Sequence, residues 1–258
     1  MQIYTLFSGS SGNSVYIKDG DTELLIDAGK SAGAIEKSLS ALNSSLKNIE
    51  AVFLTHEHTD HTVGLEIISK KHHIPVHMTE ESYNKLVSPS SFLYSCAKKH
   101  DSRYSVRIGS LTVTSFEIPH DSARNVGYII ESDEGERFGL ATDMGCVTEE
   151  IENALCGCSV AVIESNHDIK MLKSGPYPYF LKQRILSSGG HLCNDDCAVL
   201  AVNLARSGAK SITLAHLSRE NNSPDKAFEV TRALLDASGF SSVELKVASP
   251  VESVPVKK

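Results

Sequence analysis

The sequence predicts a mixed α/β protein in which two sheets are sandwiched between helices. Three observations lead there. Short apolar runs of strand length, Ala51-Val52-Phe53-Leu54 among them, alternate with stretches whose apolar residues recur at helical spacing. Strand groups and helices are interleaved, but not as a strict βα repeat. Residues that bind metals or carry protons stand just past strand ends, where open α/β sheets place their sites. The 258 residues are enough to bury a substantial core, and no linker or low-complexity segment divides them. A single domain over 1–258 is expected.

The elements follow in order. Strands are expected at 2–7, 15–18 and 22–26, the last two joined by a turn at Asp19-Gly20-Asp21. The loop Ser8-Gly9-Ser10-Ser11-Gly12-Asn13-Ser14 is either a flexible hairpin or a nest that brings N–H groups and Asn13 to an anion. A helix over about 31–42 puts Ala34, Ile35, Leu39 and Leu42 on one face. The strand at 51–54 leads to a helix over 62–71 with Val63, Ile67 and Ile68, then to a strand at 74–78. Thr79-Glu80-Glu81-Ser82 is a capping signature that opens another helix. The polar stretch after it, with Lys98, Lys99, His100, Arg103 and Arg107, is a solvated face or a basic rim.

Strands are expected at 111–118, 126–132 and 137–142, a helix at 147–155 and a strand at 159–163. Residues 170–184 interleave Lys170, Lys173, Lys182 and Arg184 with Tyr177, Tyr179 and Phe180. Such a mixture suits phosphate contact and base stacking, or is an ordinary amphipathic insertion. Asn194-Asp195-Asp196 caps a helix to about 207; a strand follows at 211–215, a helix with Pro224 in its first turn at 224–237, and a strand at 242–248. The tail, 251–258, is expected to be loose.

Thr55-His56-Glu57-His58-Thr59-Asp60-His61 dominates the chain. His56 and His58 alternate on an extended segment and can reach one metal. Asp60 and His61 come after a turn and can reach a second. Imidazole with carboxylate suits zinc, manganese or iron. His120, Asp143 and His216 each stand just past a predicted strand. A lone His or Asp there is usually a cap or turn residue, but three of them in one chain with HxHxDH change that reading. His72, His73 and His77 lack ligand spacing and read as surface or packing residues.

Composition sets limits. The formal charge of −7 argues against sequence-independent nucleic-acid binding, although metal ions invert the charge of an acidic pocket. No apolar run reaches the roughly 18 residues of a membrane span. The N-terminus reads as a strand and not a signal peptide, so a cytoplasmic protein without disulfides is expected. The six cysteines lack CxxC…CxxC spacing and read as inert thiols.

The order HxHxDH, His120, Asp143, His216 resembles the metallo-β-lactamase fold superfamily, from Leu24-Leu25-Ile26-Asp27-Ala28-Gly29 to His216. The segments Gly9-Ser10-Ser11-Gly12-Asn13, Glu164-Ser165-Asn166-His167 and Gly190-His191-Leu192-Cys193-Asn194 are similar to the YycJ/WalJ group, itself similar to nuclease members such as RNase Z and the β-CASP enzymes. Cys193 stands where a Ser is expected. The resemblance implies an αββα sandwich with its site at one edge between the sheets. It implies two divalent ions, zinc or manganese with iron as a third option. His56, His58 and His120 would hold the first, Asp60, His61 and His216 the second, and Asp143 would bridge them. Two such ions about 3.5–4 Å apart share one water, lower its pKa and clamp a phosphoryl group. His191 is then the general acid, oriented by Glu164, unless the two only hydrogen-bond loop backbones. Asp60 joins them in the catalytic set. Asn13, Asn166, Lys182 and Arg184 are the expected substrate contacts.

The leading expectation is a metal-dependent phosphodiesterase acting on nucleic acid, with a 5′ exonuclease on DNA implied by the resemblance. The roughly 70 residues between Asp143 and His216 leave no room for a β-CASP cap, so an open cleft is expected. The alternative is a small-molecule ester, thioester, lactone or cyclic-nucleotide hydrolase, which requires an enclosed apolar pocket. A regulatory partner with a structural metal fits least, because structural zinc sites are closed and four-coordinate.

Overall fold

The computed structural model describes residues 1–258. The chain begins β1 (Gln2–Phe7), β2 (Ser14–Asp19), β3 (Thr22–Ile26), α1 (Ala32–Ala41), β4 (Ala51–Phe53), α2 (Thr59–Thr62), α3 (Leu65–His72), β5 (Val76–Thr79), α4 (Glu80–Leu86), α5 (Leu93–Cys96), β6 (Ala97–His100). It continues β7 (Ser105–Ile108), β8 (Leu111–Ile118), β9 (Asn125–Ser132), β10 (Arg137–Ala141), α6 (Glu149–Leu155), β11 (Val160–Glu164), α7 (Ile169–Ser174), α8 (Tyr179–Ile185), α9 (Asn194–Arg206). It closes with β12 (Ser211–Ala215), α10 (Pro224–Ala237), β13 (Glu244–Val247) and β14 (Val254–Lys257).

Two seven-stranded sheets result, ordered β14-β1-β2-β3-β4-β5-β6 and β13-β12-β11-β10-β9-β8-β7. Each is built the same way. An antiparallel meander, β1-β2-β3 or β7-β8-β9-β10, continues into parallel strands, β4-β5-β6 or β11-β12-β13. The sheets face each other across a core that includes Ile17, Leu24, Ile26 and Phe53 from one and Val113, Tyr128, Phe138 and Val162 from the other. A second core packs α1 and α3 on the first sheet through Ile35, Leu39 and Ile68. A third packs α6, α9 and α10 on the second through Ile151, Leu200 and Leu235. Strands buried on both faces read as unbroken apolar runs, as β11 does over 160–163 before Glu164 closes it. The architecture is the expected αββα sandwich.

Three segments differ from the sequence expectation. The helix expected over 62–71 starts later, as α3, and a separate short helix, α2, precedes it; Gly64 stands between them, and its amide donates to Ala28 O at 2.8 Å. A Cβ there would sit 2.5 Å from Lys30 O, so only glycine permits this approach. The break leaves Asp60 and His61 on a separate turn that faces the strand ends. The tail is not loose: β14 pairs antiparallel with β1, Val256 is fully buried, and Pro255 sits on the outer edge where its missing N–H costs nothing. The charges at 98–107 make no basic rim, because Lys99 pairs with Glu80, Arg103 with Glu117 and Glu150, and Arg107 with Asp133.

Candidate metal centre

The parallel strands of both sheets end at one edge of the sandwich, and the chemistry collects there. Asp27 follows β3, His56 and His58 follow β4, Asp60 and His61 ride on α2, and His120 follows β8. Asp143 follows β10, Glu164 closes β11, and His216 follows β12. The donor atoms of His56, His58 and His120 lie within 4.8 Å of one another, as do those of Asp60, His61 and His216. Asp143 stands between the two groups: its Oδ2 is 3.3 Å from His61 Nε2 and its Oδ1 is 3.9 Å from His120 Nε2.

The outer ring nitrogens fix which atoms face inward. His61 Nδ1 donates to Asp27 Oδ2 at 2.7 Å, His120 Nδ1 to Gly190 O at 3.1 Å and His216 Nδ1 to Glu164 Oε1 at 2.9 Å. His56 Nδ1 is 3.1 Å from Thr55 Oγ1. Each ring therefore presents Nε2 to the centre. His56 Nε2, His216 Nε2 and Asp143 Oδ2 are buried with no hydrogen-bond partner. Buried polar atoms are almost always satisfied. Three orphans converging among imidazoles and carboxylates are what a divalent cation would satisfy, so the residues fit the implied group.

Electrostatics agree. Burial would raise the Asp143 carboxyl, but His216 and His61 hold it well below the usual range. Burial would lower His61, yet Asp27 and Asp143 hold it well above its ordinary value. His56 is pushed down by burial and by His61. Without a cation, the cluster would have to share protons among these groups.

Several supports were not singled out from the sequence. Asp27 both orients His61 and accepts from Thr55 N at 2.8 Å; the sequence places it at a strand exit, in the segment where the family resemblance begins, but gives it no role. Glu57, inside the motif, is structural: it accepts from Ala123 N at 2.7 Å and Ser82 Oγ at 3.3 Å. Asn125 donates to the carbonyls of Thr142 and Asp143 at 3.1 and 2.8 Å. Asp27, Asp143 and His216 adopt left-handed φ of 61°, 57° and 55°, a conformation that costs any residue with a Cβ, though Asp and His tolerate it better than most.

A family model described as "Beta-lactamase superfamily domain" matches residues 22–216. Exodeoxyribonuclease YycJ of Bacillus anthracis is 33% identical over 242 residues, covering 91% of this chain and 89% of that protein. The chain is a YycJ/WalJ-like member of the metallo-β-lactamase fold superfamily. Exodeoxyribonuclease WalJ of Streptococcus pneumoniae is also 33% identical, over 258 residues, with 97% and 95% covered. Among solved structures, Zn(2+)-bound PqqB from Methylobacterium extorquens shares the fold, with a TM-score of 0.71 at 18% identity and 98% and 99% of the chains covered. This metallo-β-lactamase fold protein is a metal-dependent hydrolase.

The remaining expected residues divide. His191 joins the cleft over the centre, its Nδ1 donating to Glu164 Oε1 at 2.8 Å. Glu164 is fully buried, and its Oε2 accepts from Met144 N and Leu192 N at 2.7 and 3.2 Å. Burial opposes its charge, but His191 and His216 bring its pKa down to about 2; in return Glu164 raises His191 against the effect of burial. Asn166 lines the cleft but spends its amide on His216 O at 2.8 Å. Asn13 works from below, its Oδ1 accepting from Gly9 N at 2.8 Å and its Nδ2 lying 3.3 Å from Asp60 Oδ2 and 3.1 Å from His61 Nε2. Arg184 reaches the cleft and is ion-paired with Asp121. Lys182 does not: its ammonium is pinned on the carbonyls of Lys173 and Gly175, both at 2.7 Å. The Cys193 thiol caps α9, accepting from Asp196 N at 3.5 Å, so it does the work of the expected Ser. All six cysteines are free and none joins a candidate metal cluster.

Proposed function

We propose that this hydrolase is a phosphodiesterase that shortens nucleic acid strands, acting as a 5′ exonuclease on DNA. The observation that carries the reading is His191. Its Nδ1 is held by a fully buried carboxylate, while its Nε2 makes no hydrogen bond within the protein and the ring lines the cleft above Asp143. That is how a general acid is poised. The names of the 33%-identical relatives support the same class of substrate.

The ligand set is His56, His58 and His120 on one side, Asp60, His61 and His216 on the other, and Asp143 between. When bound, two divalent ions of the zinc or manganese type supply an activated water and a clamp for the phosphoryl oxygens. The chain's own residues do the rest. Water oxygen bonds to phosphorus and the P–O bond to the leaving sugar breaks. His191 Nε2 gives its proton to that leaving oxygen, and Glu164 steadies the imidazolium beforehand. The cleft, about 280 Å³, is lined mostly by polar and charged residues, with Tyr177, Leu181 and Ile185 its only hydrophobic ones. This is not the enclosed apolar pocket that a thioester or lactone hydrolase requires. Tyr179 and Phe180, 76% and 74% exposed on α8 beside it, offer faces for unpaired bases.

The test is hydrolysis of end-labelled single- and double-stranded DNA and RNA by wild type, Asp143→Ala and His191→Ala with added Mn²⁺ or Zn²⁺. Stepwise shortening lost in both variants is expected. Loss in Asp143→Ala alone would remove the acid role of His191. No cleavage by folded, metal-loaded wild type would overturn the nuclease reading.

A further inference from the structure

The Gly/Ser loop of residues 8–14 is fastened to the metal centre on both sides. Ser8 Oγ accepts from His216 N at 2.7 Å, Asn13 N donates to Asp60 O at 2.8 Å, and Gly29 N donates to Asn13 O at 2.8 Å. At its tip two cations meet. Lys30 Nζ donates to Ser11 Oγ at 3.0 Å and Arg219 Nη2 donates to the same oxygen at 2.8 Å. The two charges are therefore no farther apart than the sum of those distances.

Neither cation has a carboxylate partner. Of the seven other arginines, Arg103, Arg107, Arg124, Arg137, Arg184 and Arg232 do, and Arg206 bonds only Asn203. What sets this pair apart is that both cations are held on one hydroxyl oxygen with no carboxylate beside them. Like charges held together repel, and the Lys30 pKa is lowered by burial and by Arg219. Ser11 sharpens the point. Its oxygen accepts two charge-assisted bonds, which uses both lone pairs, so its hydrogen is directed outward, and no acceptor in the protein receives it. The amides of Ser10 and Ser11 likewise make no hydrogen bond within the protein. Gly9 and Gly12, at φ of 132° and 142°, flank them. Two cations, one hydroxyl hydrogen and two unpaired amides at one loop tip form a cluster of donors that suits an anion.

Its position is informative. Ser10 and Ser218, chain neighbours of Ser11 and Arg219, line the cleft of the metal centre. We propose that Ser11, Lys30 and Arg219 form an anion subsite at the rim of that cleft, which takes a phosphate group of the substrate strand other than the one being cut. The proposal rests on the nuclease reading and adds to it a place where the strand is gripped. Two full positive charges suit the phosphomonoester of a strand terminus, which carries nearly two negative charges, better than the single charge of an internal diester.

The experiment measures anisotropy of 3′-labelled single-stranded phosphorothioate DNA, with a 5′-phosphate or a 5′-hydroxyl, bound to the metal-loaded full chain. Lys30→Met, Arg219→Met and the double variant are compared with wild type after thermal melting has shown them folded. Wild type should prefer the phosphorylated strand about tenfold, and the double variant should lose most of that preference. An equal loss on both strands, with a shallower salt dependence, would also support the subsite and assign it an internal phosphate. Unchanged affinity for both strands would overturn it. Should wild type bind neither strand, the nuclease reading falls, and acetylation of Lys30 by acetic anhydride relative to exposed Lys210, followed by mass spectrometry with and without inorganic phosphate, decides separately. Protection of Lys30 keeps the anion subsite without the nuclease; no protection overturns both.

Discussion

A Glu164→Gln substitution keeps the shape of the side chain and removes its charge. Glu164 Oε1 accepts from His191 Nδ1 at 2.8 Å and from His216 Nδ1 at 2.9 Å, and Oε2 accepts from two backbone amides. A carboxamide has one acceptor oxygen. If it faces the imidazoles, its NH₂ confronts the amides of Met144 and Leu192. If it faces the amides, its NH₂ confronts two ring N–H groups. Histidine can accept there only by moving its proton to Nε2, which takes His216 out of ligation. Either way two buried donors are left unsatisfied, at about 1–3 kcal/mol each. A stability loss of roughly 2–5 kcal/mol corresponds to a Tm drop of about 5–15 °C at this chain length. Metal affinity should fall about 10–100-fold. The kcat for DNA at saturating Mn²⁺ should fall about 10²–10⁴-fold. Hydrolysis of bis(4-nitrophenyl) phosphate should fall less, because nitrophenolate leaves without protonation. The assays are metal content by mass spectrometry, thermal melting and the two rates. A variant with full metal content, cutting DNA within about threefold of wild type, would refute the bridging role.

Three further outcomes are expected. Asp27→Asn leaves His61 Nδ1 without the carboxylate that orients the ring, so one ion's worth of affinity should fall about 10–100-fold while the other is retained, read by metal titration. His77, stacked on Phe53 at 4.7 Å, is pushed down to about 4 by burial, His100 and Lys98. The unfolded chain takes up that proton near 6.5 and the native one does not, so stability is full above 6.5 and falls as pH drops toward 4. His77→Phe should remove about 2 kcal/mol of the stability change between pH 7 and pH 5, measured by denaturant unfolding. Val256→Ala should cost roughly 2 kcal/mol, a Tm shift of about 4–8 °C, because the fully buried β14 side chain fills the core between the sheets.

Short-range patterns were the legible ones. HxHxDH, the strand-exit positions of His120, Asp143 and His216, and the caps of α4 and α10 announce themselves within a few residues. What was hidden depends on pairings across the chain. β14 is four residues with a proline, and only its partner β1, some 250 residues away, makes it a strand. The charges at 98–107 look like a rim until Glu80, Glu117, Glu150 and Asp133 are placed beside them. Lys182 shows its limit as a substrate contact only when its ammonium is seen to hold two helix-end carbonyls. Asp27 and Glu57 read as ordinary acids because second partners of a ligand have no fixed spacing from it.

The left-handed backbone at Asp27, Asp143 and His216 has a consequence for how this chain can change over time. The other positive-φ residues with side chains, Asn43 and His73, sit at helix ends, where such a conformation is ordinary. The three at the strand exits are there for their side chains alone. Glycine at any of them would relax the backbone by as much as 1–3 kcal/mol, so a library selected only for thermal resistance would drift toward it and discard the chemistry. A lineage freed from the need to hydrolyse anything would show the same drift. Glycine at 27, 143 or 216 in a sequence that keeps the sandwich core would therefore mark a retired enzyme, and a stability screen run on this protein should hold those three positions constant.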